Sequence, residues 1–248
     1  YDAERKGQLI DTQTSYALHV VDGDLQKKMA AHLAAAIKTP MAGYPAYSLL
    51  TGFIGTAWIS KALSDNGMSE EAYRLLQYEG YPSWLYPVKN GATTIWERLN
   101  SYTVKDGFGE NNSMNSFNHY SFGAVASWMY NYSLGICRDE KSPGFKHFIL
   151  KPEVDPTRGI THAEGYYDSM YGRIRSRWQY TDSGIRYEFT VPANTTASLY
   201  LPAPAVSFIS ENGKPLKKAS GVRYVSADKE LHHLELASGS YQFDIKQK

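Results

Sequence analysis

The residues best equipped for chemistry lie between positions 80 and 119. Gly80-Tyr81-Pro82-Ser83-Trp84-Leu85-Tyr86-Pro87-Val88 leads through Asn90-Gly91-Ala92-Thr93-Thr94 into Ile95-Trp96-Glu97-Arg98. Most acidic residues of the chain sit in solvated settings such as helix starts, whereas Glu97 follows a Gly/Thr loop and is flanked by Ile95 and Trp96. A carboxylate partly desolvated beside an aromatic wall is suited to take up a proton, which is the work of a general base. Arg98 would favour the charged form if it pointed the same way. A second reading stays open on local pattern, in which Glu97 and Arg98 pair at a helix start and Trp96 belongs to the core.

The second segment runs Gly107-Phe108-Gly109-Glu110-Asn111-Asn112-Ser113, then Met114-Asn115-Ser116-Phe117-Asn118-His119-Tyr120-Ser121-Phe122-Gly123. Asn, Ser and His at this density offer directional donors and acceptors for hydroxyl groups, as a sugar requires. His119 could bond a ring hydroxyl or orient Glu97; the competing reading is a capping, already satisfied loop histidine. Two weaker features stand elsewhere. His232-His233 resembles a metal motif, yet adjacent strand residues face opposite sides of a sheet and cannot easily chelate one ion, so no metal is expected. Asn194-Thr195-Thr196 and Asn111-Asn112-Ser113 fit a glycosylation pattern but read as turn chemistry.

The elements that must position these residues change character along the chain. Up to about Gly135 the hydrophobic pattern is helical, most clearly at Leu25, Met29, Leu33 and Ile37 in an Ala-rich run that ends before Thr39-Pro40, with Asp24 as N-cap. Further helices are expected over residues 54–63, closed by Asn66-Gly67, over 69–77 with Glu70 and Glu71 in the first turn, and over 122–134. Residues 80–94 and 106–118 read as long loops, which in a compact domain tend to be functional. After Ser142-Pro143-Gly144, residues 148–150, 172–180, 185–191 and 197–201 read as strands. Turns at Asp182-Ser183-Gly184, Glu211-Asn212-Gly213 and Ser238-Gly239 separate them. Such spacing argues for an antiparallel sandwich. The fold class is thus α+β, with a helical domain over residues 1–142 and a β-sandwich over 143–248. About six helices are half of what a closed ring of helical hairpins needs to bury its apolar faces.

Bulk properties exclude several classes. Among 248 residues, 26 basic and 25 acidic side chains leave a formal charge of +1, so no large field draws in nucleic acid or anionic lipid. Cys137 is the one cysteine, which leaves no intrachain disulfide and no thiolate metal site. No run approaches the roughly 20 apolar residues that span a bilayer. The start at Tyr1, with neither an initiator Met nor a signal-like run, reads as a cut. The 20 Tyr and 5 Trp suit sugar clefts and β-sheets equally.

Taken together, Thr51-Gly52-Phe53, Pro82-Ser83-Trp84, Gly91-Ala92-Thr93-Thr94-Ile95-Trp96-Glu97-Arg98 and Asn115-Ser116-Phe117-Asn118-His119-Tyr120 resemble the latter half of the catalytic domain of bacterial α-L-rhamnosidases, glycoside hydrolase family 78. The order and spacing hold across nearly the whole chain, and the segment ending in Trp96-Glu97-Arg98 is the specific part. The resemblance implies part of an (α/α)6 barrel followed by a β-sandwich, and hydrolysis of terminal α-L-rhamnose with inversion. It implies Glu97 as general base, His119 as a rhamnose contact, and Trp84 and Trp96 as aromatic positions near the pocket. It implies no cofactor, a rhamnose-containing saccharide or glycoside as substrate, and a periplasmic or secreted setting.

The departure from the family pattern is equally informative. The family's general acid lies in an Asp/Arg/Glu-rich motif upstream, and nothing like it stands in this sequence. The acid is therefore expected from a missing N-terminal half of the same enzyme, with Asp106 and Glu110 as in-chain substitutes that read as solvated loop charges. Two other classes stay open: a carbohydrate-binding or structural remnant without turnover, and an α/α-toroid polysaccharide lyase using Asn118-His119-Tyr120. The lyase would need a basic cleft, and the helical part has few clustered Arg or Lys.

Overall fold

A computed structural model describes residues 12–18, 24–109 and 113–246, with the backbone alone for residues 24–26. The chain divides into two compact units, Tyr1–Trp128 and Met129–Lys248. The N-cap expected of Asp24 and the substitute acid considered at Glu110 lie outside the described side chains.

The first unit is helical. Helix α1 spans Gln13–Leu18, α2 Asp24–Lys38, α3 Gly52–Thr56, α4 Ile59–Asp65, α5 Ser69–Gln77, α6 Leu85–Lys89 and α7 Val125–Trp128. In α2 the four-residue repeat buries Met29, Leu33 and Ile37 on one stripe, and the helix ends just before Pro40, which cannot continue it. Helix α5 buries Ala72, Tyr73, Leu75 and Leu76 and carries an exposed Glu70–Arg74 pair one turn apart. Trp128 packs edge-on to Tyr73 and donates its indole N–H to Ser64 Oγ at 2.9 Å, joining α4, α5 and α7.

Three expectations change here. The single helix over 54–63 is two, because Trp58 N–H turns back to Gly55 O at 3.0 Å, three residues earlier, and breaks the α ladder. Residues 80–94 are not a structureless loop. They contain α6, whose start is capped by Ser83 Oγ accepting from Tyr86 N–H at 3.0 Å, and whose end is held by Asn90 Nδ2 on Tyr86 O at 2.9 Å. The helix expected over 122–134 is a tight 3-10 turn over Tyr120–Ala124, then α7, then a π-type turn over Met129–Ser133 closed by Leu134 N–H on Met129 O. All three variants share one hydrophobic spacing to a first approximation, so periodicity does not separate them.

The second unit is built of strands: β1 Ile136–Arg138, β2 His147–Leu150, β3 His162–Ser169, β4 Gly172–Thr181, β5 Gly184–Val191, β6 Thr196–Pro202, β7 Ile209–Glu211, β8 Lys214–Pro215, β9 Val222–Asp228, β10 Leu231–Leu236 and β11 Gly239–Lys246. The first of them begins ahead of Pro143. They form a five-stranded sheet in the order β1-β2-β6-β10-β9 and a six-stranded sheet in the order β3-β4-β5-β11-β7-β8. The four expected strand segments fall on β2, β4, β5 and β6. Pairing is antiparallel except between β2 and β6, which run parallel from His147↔Thr196 to Leu150↔Leu199. The β3–β5 run intervenes in sequence and supplies the long connection that a parallel pair needs.

Burial alternates along both sheets, through Trp178, Tyr187, Phe189 and Phe243 in one and Phe148, Leu199 and Leu234 in the other. The two adjacent histidines obey the same alternation. His232 is buried with Nε2 3.1 Å from Ala203 O, while His233 stacks on Tyr200 on the other face and meets Glu235 Oε1 at 3.0 Å.

Candidate functional site

The site begins as two irregular segments clipped edge to edge. Glu97 N–H donates to Ser116 O at 2.8 Å, and His119 N–H donates to Ile95 O at 2.8 Å. Thr94 Oγ1 adds a short bond to Phe117 O. Ser116 N–H in turn donates to Glu97 Oε2 at 3.0 Å, so the carboxylate is aimed by a backbone donor of the facing segment. Glu97 is not at a helix start, since no described helix begins between α6 and the turn at Tyr120. Arg98 turns Nη2 to Asn115 Oδ1 at 3.3 Å, so the helix-start ion pair considered for these two residues is not how the segment is built.

Trp96 and Trp84 are buried anchors of these segments. Trp96, 6% exposed, meets Phe117 edge-on at 5.1 Å and Tyr102 at 6.5 Å. Trp84, 8% exposed, donates its indole N–H to Phe122 O at 2.8 Å, which fixes the 80–84 loop against the segment that follows His119. Neither indole is part of the cleft lining. Gly123 packs closely here: a Cβ would stand 3.3 Å from Ile95 Cγ1, so a larger residue would displace the Ile95 side chain by a few tenths of an ångström.

In front of Glu97 lies a cleft of about 600 Å³ lined mainly by apolar side chains, among them Leu49, Phe53, Tyr81, Leu99 and Phe122, with Glu97, Arg98, Asn100 and Gln13 as polar groups. That mixture of apolar walls and a few convergent polar groups is typical of a small-ligand site. Among the described lining residues Glu97 is the one carboxylate. Asp106 is away from the cleft in an exposed turn, where its N–H and carboxylate both pair with Thr103 Oγ1. Among the described residues no group of three His, Cys, Asp or Glu converges as metal ligands do.

His119 is outside the cleft lining and meets it only through the ring of Phe53. It stacks on Phe53, with centroids 4.8 Å apart and planes at 23°, and Phe53 itself meets Phe122 edge-on. Its Nδ1 is buried without a hydrogen-bond partner among the described residues.

Two contributors had no clear signal in the sequence. Gln13, 1% exposed, behaves as a substitute strand: its Nε2 donates to Ser48 O and its Oε1 accepts from Leu50 N–H, each at 2.8 Å. The opposite edge of that stretch is held by Leu49 N–H on Pro82 O at 2.8 Å, after the cis Tyr81–Pro82 bond. Tyr81 lines the cleft edge-on to Tyr44 and Tyr86, and burial first, then Tyr44, holds its phenol above the ordinary range while Arg98 opposes. A glutamine 35 residues from its acceptor, and a tyrosine among 20, carry no periodic pattern that would single them out.

Comparison with known proteins agrees with this architecture. Residues 3–133, more than half of the chain, match the bacterial alpha-L-rhamnosidase 6 hairpin glycosidase domain, and residues 135–215 match the bacterial alpha-L-rhamnosidase C-terminal domain. An alpha-L-rhamnosidase of Streptomyces avermitilis is 34% identical over 98% of this chain and 22% of its own length, and one of an Alteromonas species is 34% identical over 95% and 24%. The crystal structure of the Streptomyces avermitilis alpha-L-rhamnosidase complexed with L-rhamnose superposes with a TM-score of 0.82 at 33% identity, covering 95% of this chain and 22% of that one. The enzyme from Dictyoglumus thermophilum gives 0.77 at 26% identity, covering 95% and 25%. The chain therefore spans about a quarter or less of the length of these relatives.

Proposed function

Since this chain belongs to the bacterial α-L-rhamnosidase family, we propose that it carries the general-base half of an inverting glycosidase site and that Glu97 is the base. The observation that carries the reading is the Glu97 carboxylate, aimed by Ser116 N–H at 3.0 Å into an apolar cleft that holds no second described carboxylate. Inverting hydrolysis uses two carboxyl groups about 6.5–9.5 Å apart, one protonating the leaving oxygen and the other activating water on the opposite face of the sugar. Glu97 takes the second role: it removes a proton from water as the oxygen attacks the anomeric carbon of a terminal α-L-rhamnose. The acid comes from outside these 248 residues, in the remainder of a longer enzyme whose helices complete an (α/α)6 barrel around α1–α7. The two sheets form the C-terminal β-sandwich.

His119, held flat against Phe53, bonds a ring hydroxyl of the sugar. Trp84 and Trp96 serve the pocket from behind, by fixing the loops that carry Glu97 and His119. No step needs a cofactor. The test is release of chromophore from an aryl α-L-rhamnoside by this chain alone and after mixing with the rest of the enzyme. Release only in the mixture is the expected result. Release by the chain alone would place the acid within it, and release by neither would leave a binding role without turnover.

A further inference from the structure

Resting on that reading, we infer that Phe108 is a positioning residue for the proposed base, because it closes a cycle of four aromatic rings that braces the segments carrying and aiming Glu97. The contacts run edge-on: Trp96 to Phe117 with centroids 5.1 Å apart, Phe117 to Phe108 at 5.6 Å, Phe108 to Tyr102 at 5.2 Å and Tyr102 back to Trp96 at 6.5 Å. Successive planes cross at between 68° and 87°, the edge-to-face arrangement that aromatic pairs favour. Trp96 precedes Glu97 and Phe117 follows Ser116, the two residues that exchange hydrogen bonds through backbone and carboxylate. Tyr102 and Phe108 flank a tight turn in which Thr103 N–H donates to Gly107 O at 3.0 Å and Gly107 N–H to Thr103 O at 2.9 Å. Val104 N–H donates to Asn90 Oδ1 at 2.9 Å and moors that turn to the end of α6.

Ser116 N–H fixes Glu97 Oε2 by one hydrogen bond, which leaves the carboxylate able to swing with the irregular backbone beneath it. The ring cycle ties that backbone to a turn with anchors of its own, and removing the Phe108 ring opens the cycle at Phe117 and at Tyr102. A group displaced by about 1 Å from its productive geometry can lose on the order of 10²-fold in rate. None of the four rings lines the cleft, so the loss should fall on the proton-transfer step and spare ground-state binding. These contacts all lie within residues 90–117 and call for no solvent-exposed face.

The experiment measures turnover of 4-nitrophenyl α-L-rhamnopyranoside by the complete enzyme. Phe108→Ala should lower kcat about tenfold with KM within about twofold of the parent, and Phe108→Tyr, which keeps the ring, should recover the parent kcat. In a Glu97→Gln background Phe108→Ala should have no further effect, since a residue that acts only by aiming the base has nothing left to aim. Phe108→Leu, which keeps apolar bulk without a ring edge, should show the same split and carries the test if the alanine variant does not fold. A raised KM at parent kcat, an unchanged kcat, or a loss that persists in the Glu97→Gln background would each overturn the brace alone, as long as Glu97→Gln by itself is slow. Parent-level kcat in Glu97→Gln, or no turnover by the parent, would overturn the reading of the base, and the brace with it.

Discussion

Ser116 and Glu97 exchange two hydrogen bonds: Glu97 N–H donates to Ser116 O at 2.8 Å and Ser116 N–H donates to Glu97 Oε2 at 3.0 Å. One residue thereby sets both the backbone and the carboxylate of the proposed base. A charged acceptor on a backbone donor is among the stronger hydrogen bonds, so the carboxylate is oriented before a substrate arrives.

Glu97→Gln retains an oxygen that can accept from Ser116 N–H but cannot take a proton from water. Turnover of an aryl α-L-rhamnoside by the complete enzyme should fall by about 10²- to 10⁴-fold or more. Rhamnose affinity measured by calorimetry should stay within about threefold. Near-normal kcat in this variant would sink the assignment of the base.

Gln13→Leu leaves Ser48 O and Leu50 N–H without their partner in a buried setting. An unsatisfied buried polar group costs about 1–3 kcal/mol, so the helical unit should lose roughly 2–4 kcal/mol in a urea titration. Because Leu49, Leu50 and Phe53 line the cleft, KM should rise in parallel. Unchanged stability would mean that Gln13 does not hold the 48–50 stretch.

Phe53→Ala removes the ring that backs His119 and meets Phe122. For a half-buried phenylalanine the expected cost is about 1–3 kcal/mol, below that of a full core position. The kinetic signature is a raised KM, since His119 loses its orientation while Glu97 keeps its clip to Ser116. A fall in kcat with KM constant would contradict this division of labour.

The Tyr81 phenol is held above the ordinary tyrosine range by burial and by Tyr44, with Arg98 opposing and Tyr86 adding to the rise. For a folded-state value above the unfolded one, the stabilisation is present below the unfolded value near pH 10 and is lost as pH rises through the folded value. Unfolding free energy should therefore decline above about pH 10, and less steeply in Tyr81→Phe. Parallel pH curves for parent and variant would refute the burial argument.

How much was legible in advance depends on which forces act locally. Helix α5 was read to the residue, because its amphipathic spacing and acidic first turn are properties of nine consecutive residues. The strands β2, β4, β5 and β6 were legible for the same reason, through β-rich runs between turn signals. Helix α6 was not, since Pro87 and two tyrosines obscure its pattern and a single serine hydroxyl starts it. The break at Trp58 and the 3-10, α and π succession after His119 were hidden too, because one hydrophobic spacing serves all of them.

By itself the sequence determined the two-part character of the chain, its near-zero net charge and its single cysteine, all of which rest on residue type and nearest neighbours; Glu97 and His119 had open alternatives on local pattern and were singled out by the resemblance to the family. Only the tertiary structure decided what those candidates face. It turned Trp84 and Trp96 into buried anchors, aimed the Glu97 carboxylate with Ser116, set His119 against Phe53, and recruited Gln13 from 35 residues away to clamp the cleft wall. Those relations join segments distant along the chain. Their energy comes from satisfying buried donors and acceptors and from ring packing, which no local pattern encodes.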